Sequence, residues 1–206
     1  MKIKTTKKLY KRKYQYNIVL VCAFGNVFRG SNTSKYKSRL DIENTNAAIL
    51  SSTNRYLYRV DDLELANTLY TELLTISDYC TRIEYPTLTI YTNDWSDIIK
   101  LREINSDRVR SISIPPDNLI EGAVYMPTMD YEYRLTLGKT EKPYTDFIEW
   151  ADAINKVKIT NSCRDMLSDE NGSYGGGHVY VTGENTLLIV KLQLSGIRLT
   201  IDRIVH

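Results

Sequence analysis

Along most of this 206-residue chain, apolar side chains either alternate with polar ones or recur every three to four positions. Tyr14–Cys22, rich in Val, Ile and Tyr, predicts a strand. Gly25 and Gly30 bracket a turn that holds Phe28 and Arg29. Tyr36, Leu40 and Ile42 share one side of a short helix expected within 34–43. The Asn-, Ser- and Thr-rich stretch 44–54 predicts a loop, and residues 1–13 a basic arm or an edge strand.

From Arg55 onward a strand–cap–helix–strand pattern recurs three times. The first copy runs from Tyr56–Val60 through Asp61 and Asp62 to Arg82–Pro86. Its helix, expected over 63–76, puts Leu65, Ala66, Leu69, Tyr70 and Leu73 on one face. The second copy runs from Leu88–Tyr91 through Asn93 and Asp94, then Trp95–Ile104, to Arg108–Pro115. The third runs from His178–Val181 through Leu187–Leu194 to Arg198–Ile201. Asp, Asn and Thr at the joints can accept from the first free N–H groups of a helix. In the third copy a β-hairpin over 188–201 also fits the alternation, and likeness to the other copies favours the helix. Upstream of it, Tyr131–Leu137 predicts a strand, Pro143 opens a helix over 143–155, and Val157–Ile159 predicts a short strand.

Two such units back to back give β-α-β-β-α-β, so the expected class is α+β. The layout predicted is two tandem ferredoxin-like (split βαβ) subdomains behind a basic N-terminal arm and strand. Its segments are 1–50 (arm, strand and short helix), 51–116 (first subdomain), 117–130 (linker) and 131–206 (second, degenerate subdomain).

Composition is that of a globular protein, with 42% apolar and 25% charged residues. Tyrosine supplies 16 of the 21 aromatics, which suits strands and half-buried surfaces. Cys22, Cys80 and Cys163 are far apart and odd in number, which argues against a zinc site or a disulfide framework and for reduced thiols. A cytoplasmic location is expected, in a host cytoplasm or a virion if the Lys-, Asn-, Ile- and Tyr-rich composition reflects a viral, AT-rich genome. Ile18–Phe24 is too short to cross a membrane, and no membrane partner is expected.

The chain offers little catalytic chemistry. Its two histidines, His178 and His206, have no nucleophile at motif spacing. Asp61, Asp62 and Asp94 read first as helix caps and only then as metal-binding carboxylates. Gly172–Gly177 lacks the Lys-Ser/Thr end of a phosphate-binding loop and precedes a strand rather than a helix. Asp146, Glu149 and Asp152 form an acidic stripe on the 143–155 helix, either solvated or a docking patch for a basic segment. No catalytic residue, metal ligand set or cofactor is assigned, and no motif is specific enough to name a family.

Charge changes the picture most. The first 40 residues carry eleven cations and no carboxylate, whereas the whole chain has 27 Lys+Arg against 25 Asp+Glu. The remaining 166 residues therefore hold 16 cations against 25 acids, and a near-neutral total hides opposite ends. Such a block seeks an anionic counterpart. The first expectation is a non-enzymatic nucleic-acid-binding accessory protein, non-specific or for single strands. Lys7, Lys8, Lys11, Arg12, Lys13 and Arg29 would meet phosphates, and Tyr10, Tyr14, Tyr16 and Phe28 would stack on bases. The alternative is a structural or assembly protein whose basic arm meets an acidic protein surface on neighbouring subunits, as in a homo-oligomer. A third reading is a metal-dependent enzyme acting on nucleic acid.

Overall fold

The computed structural model describes every residue except 31, 52–59, 118 and 171. Among the described residues there are two five-stranded mixed sheets and six α-helices, a mixed α+β architecture. Two compact units divide the chain, Met1–Pro116 and Asp117–His206. No described helix is long and apolar enough to cross a membrane.

In the first unit, β1 (Lys2–Thr5) and β2 (Tyr16–Val21) precede a 3-10 turn at Gly25–Phe28 and the helix α1 (Thr33–Ser51). Then come α2 (Val60–Leu73), β3 (Tyr79–Glu84), β4 (Thr87–Thr92), α3 (Trp95–Ile104) and β5 (Val109–Ile114). The sheet order is β1-β5-β2-β4-β3. β1 runs parallel to β5, and the other three pairings are antiparallel. Alternation sends Ile18, Leu20, Leu88, Ile90 and Ile112 to one face, where they share a core with Leu69, Leu73, Ile98 and Leu101 of the helices.

Local chemistry sets the helix boundaries. Asn32 Oδ1 accepts from Ser34 N at 3.0 Å and opens α1. Asp94 Oδ1 accepts from Ser96 N at 2.8 Å and opens α3, and this bond holds the Asp94 carboxyl below its ordinary range. The segment 1–50, read from the sequence as lying ahead of the first unit, enters that unit, and β2 is the middle strand of its sheet. Of the strand expected at Tyr56–Val60, residues 56–59 lie outside the described residues and Val60 opens α2. The loop expected from 44 is helical as far as Ser51, because α1 runs on past the short helix predicted there.

The second unit comprises β6 (Ala123–Tyr125), β7 (Tyr133–Leu137), α4 (Thr145–Asp152), β8 (Val157–Ile159), α5 (Asn161–Ser168), β9 (His178–Val181), α6 (Glu184–Gln193) and β10 (Leu199–Val205). Its sheet order is β6-β10-β7-β9-β8, with β6 parallel to β10 and the other pairs antiparallel. Leu135, Leu137, Val179 and Val181 face Phe147, Ala151, Val190 and Leu194 in a separate core. Residues 184–193 are helical, as the repeat favoured over the hairpin. β6 lies within 117–130, so that stretch contributes an edge strand.

Candidate nucleic-acid interface

The basic segment folds into a closed knuckle between β1 and β2. Thr6 N donates to Ile114 O at 2.8 Å and prolongs the β1–β5 ladder by one bond. Thr6 Oγ1 then donates to Gln15 O at 3.0 Å and draws the two stems together. Leu9 is buried and anchors one side. Tyr10 and Tyr14 exchange backbone hydrogen bonds of 3.1 and 3.0 Å, and Lys13 N closes a turn onto Tyr10 O at 3.1 Å. The centre of that turn is Lys11 and Arg12, both in the left-handed region with φ of 52° and 61°.

The knuckle is fastened to β3 and β4. The Tyr10 ring stacks on Tyr91 with centroids 3.7 Å apart and planes 9° from parallel. Tyr14 Oη donates to Asp78 Oδ1 at 2.9 Å. Lys11 Nζ lies 3.1 Å from the sulfur of Cys80. Burial, reinforced by the bond to Asp78, pushes the Tyr14 hydroxyl up to about 12. Lys13 and then Tyr14 hold the Asp78 carboxyl below its ordinary range. Beside the knuckle lies a groove of 490 Å³ lined by Lys7, Lys8 and Lys11, the rings of Tyr10 and Tyr91, and Asn17.

The structure brings five of the six expected phosphate contacts together. Lys7, Lys11, Arg12 and Lys13 are exposed and Lys8 is half-buried. Lys13 already pairs with Asp78 at 2.5 Å. Among the described residues Lys2, Lys4, Lys7 and Arg12 form no ion pair, so these four charges are not neutralised by described acids of the chain. Arg29 is elsewhere: it follows the 3-10 turn, beyond the far end of β2, and its carbonyl accepts from Arg39 at 2.8 Å.

The four rings separate. Phe28 is fully buried and meets Tyr36 edge-on, so the stacking role expected of it is corrected to a core role. Tyr14 is corrected likewise, being packed with Cys80 and Tyr91. Tyr16 projects from the helix-covered face of the sheet, beside Trp95 and against the core, away from the knuckle. Tyr10 alone of the four stays on the knuckle and half-exposed. Sequence spacing missed Tyr91, because the ring that supports Tyr10 lies 81 positions downstream on another strand.

The other sequence candidates have structural employment. Asp62 pairs with Arg108 at 2.9 Å while Asp94 caps α3, so two of the three carboxylates of the enzyme reading are engaged separately, and Asp61 is exposed in the first turn of α2. No three His, Cys, Asp or Glu side chains among the described residues converge as a metal site. His178 Nδ1 lies 3.2 Å from Thr136 Oγ1 across β7 and β9. The glycine-rich loop packs against the end of β7. Gly176 N donates to Leu137 O at 2.8 Å, and a Cβ on Gly172 or Gly175 would fall 2.3 Å or 2.5 Å from the 138–140 backbone. Asp146 and Glu149 are exposed, but Asp152 is held by both Nη atoms of Arg164 at 2.7 Å. All three cysteines are buried and unbridged, and burial pushes the Cys22 and Cys163 thiols up to about 11. Compared with protein-family models, curated proteins and solved structures, the chain matches none.

Proposed function

We propose that this is a non-enzymatic nucleic-acid-binding accessory protein that grips the phosphate backbone with the 7–13 knuckle. One observation carries the reading. Five cations occupy seven consecutive residues of a rigidly tied loop; Lys13 is paired with Asp78 at 2.5 Å, and Lys7 and Arg12 form no ion pair with another described residue. A tethered cation costs less entropy to dock on a phosphate than one on a free arm. Lys7, Lys8, Lys11 and Arg12 are the phosphate contacts, with Lys13 exchanging Asp78 for a phosphate. Tyr10, already stacked on Tyr91, offers its other side to a base, and the groove beside it suits an unpaired strand.

The fold reading belongs to the same proposal: each unit is ferredoxin-like, a split βαβ with one added edge strand. Counting from β2 and from β7, the four remaining strands of each sheet stand in the order 4-1-3-2, which supports it. The three reduced, buried thiols support a cytoplasmic setting.

Fluorescence-anisotropy titration of a labelled single-stranded oligonucleotide against salt tests the function. Each phosphate contact on a single strand contributes about −0.7 to the log–log slope, so five give about −3.5. The double substitution Lys7→Ala, Arg12→Ala should bring that slope to about −2. Absence of binding at low salt, or an unchanged slope in the double variant, would reject the reading.

A further inference from the structure

We infer that the outer face of α6 is a homodimer seam, in which two copies of the chain pair this helix antiparallel across a two-fold axis. α6 is apolar on both sides. Val190 and Leu194 are fully buried and Leu187 packs with them, while Leu188, Ile189 and Leu192 are 56%, 43% and 74% exposed. A helix that is apolar all round belongs inside something, and single exposed leucines are ordinary whereas three on adjacent turns are not.

The first unit supplies an internal control. α3 follows the third strand from β2 just as α6 follows the third strand from β7, and it packs on its sheet through Ile98 and Leu101. Beyond Trp95 at its start, which is 39% exposed and sits beside Tyr16, its exposed positions are Ser96, Lys100, Arg102 and Glu103. The fold therefore places no demand for apolar residues there, and the outer leucines of α6 answer to something outside their own unit.

Charge selects the occupant. Glu184 and Lys191 are both exposed, and neither forms an ion pair with another described residue. Seven residues apart, they lie on the same side of the helix, along one flank of the Leu188–Leu192 ridge. Antiparallel pairing about a two-fold axis near 187–188 lays each Glu184 on the partner's Lys191, the two Leu188 side chains on each other, and each Leu192 over the first turn of the partner helix. Parallel pairing would set Glu against Glu. The surface is thus self-complementary, as an isologous interface requires. A ten-residue helix is only about 15 Å long, short of a standard interface of ~800 Å² per partner, so dimerisation in the micromolar range is expected.

Sedimentation velocity on the nuclease-treated full chain, from micromolar to millimolar, tests this without reference to nucleic acid. The wild type should show a reversible monomer–dimer equilibrium. Leu188→Gln with Leu192→Gln should weaken it by about a hundredfold with an unchanged melting temperature, since both side chains are outward. Glu184→Lys and Lys191→Glu should each weaken it by about tenfold, and the two together should restore it. The inference fails if the wild type stays monomeric at millimolar concentration. It fails equally if the glutamines leave the dimer intact, or if the double reversal does not recover what each single one loses. A dimer abolished only by removing residues 1–13 would place the contact on the basic segment and overturn it too.

Discussion

Lys11 and Arg12 occupy backbone positions that favour Asn and Gly. In a turn whose central residues both have positive φ, an L side chain costs about 1–2 kcal/mol per residue, which Gly avoids. Two cations there are therefore retained against local preference, a pattern characteristic of functional sites. Arg12→Gly is predicted to raise stability by about 1 kcal/mol, seen as a higher urea midpoint, while lowering oligonucleotide affinity by the worth of one phosphate contact. A destabilised variant would show that Arg12 holds the turn rather than a ligand. Lys11 is more entangled, because its Nζ reaches Cys80, and that contact raises the affinity of the amine for its proton. Ring identity was the least legible feature at this scale. Tyr10, Tyr14, Tyr16 and Phe28 all sit among cations in sequence, yet three of them point into the fold. Whether a ring faces inward depends on the strand or turn that carries it and not on its neighbours in the chain.

The elements were legible where periodicity is local. α2, β4, α3 and α6 each show in the spacing of their apolar residues, α3 also in its Asp94 cap, and each lies within a few residues of where that spacing puts it. β2 is legible too, but its place is not: its register partners on Thr87–Thr92 and Val109–Ile114 lie 66–96 positions away, and no local pattern encodes that pairing. α1 runs further than its periodicity indicates, because Asn44, Thr45 and Asn46 are weak helix formers and its apolar stripe is thin. Packing of Tyr36 and Leu40 into the core stabilises it instead. A second hidden pairing lies between β7 and β10, where register partners Arg134 and Asp202 form an ion pair at 2.9 Å with the Asp202 side chain fully buried. Removing one member of such a pair strands the other charge, so Asp202→Ala should cost about 3–5 kcal/mol, measured by urea unfolding. Replacing both with apolar residues of similar volume should recover most of that loss.

At the scale of the whole molecule, one layout occurs twice: an edge strand parallel to the last strand, then four strands in the same antiparallel order. Only the decoration differs. The first unit adds the long helix α1 and the cationic knuckle, and the second adds α5 and the apolar outer face of α6. The two cores share no residue. Each unit should then fold by itself, since its core is built from residues of its own segment. Residues 117–206 expressed alone are predicted to give a single cooperative urea transition with a slope of about 1 kcal/mol/M, as expected for a small domain. Asp202→Ala should displace that transition by the same free energy as in the full chain. The isolated segment should also keep the dimerisation assigned to α6 while losing affinity for oligonucleotide, because the knuckle belongs to residues 1–116. A fragment that is unfolded, or one that binds oligonucleotide as tightly as the full chain, would contradict this division of roles between the two halves.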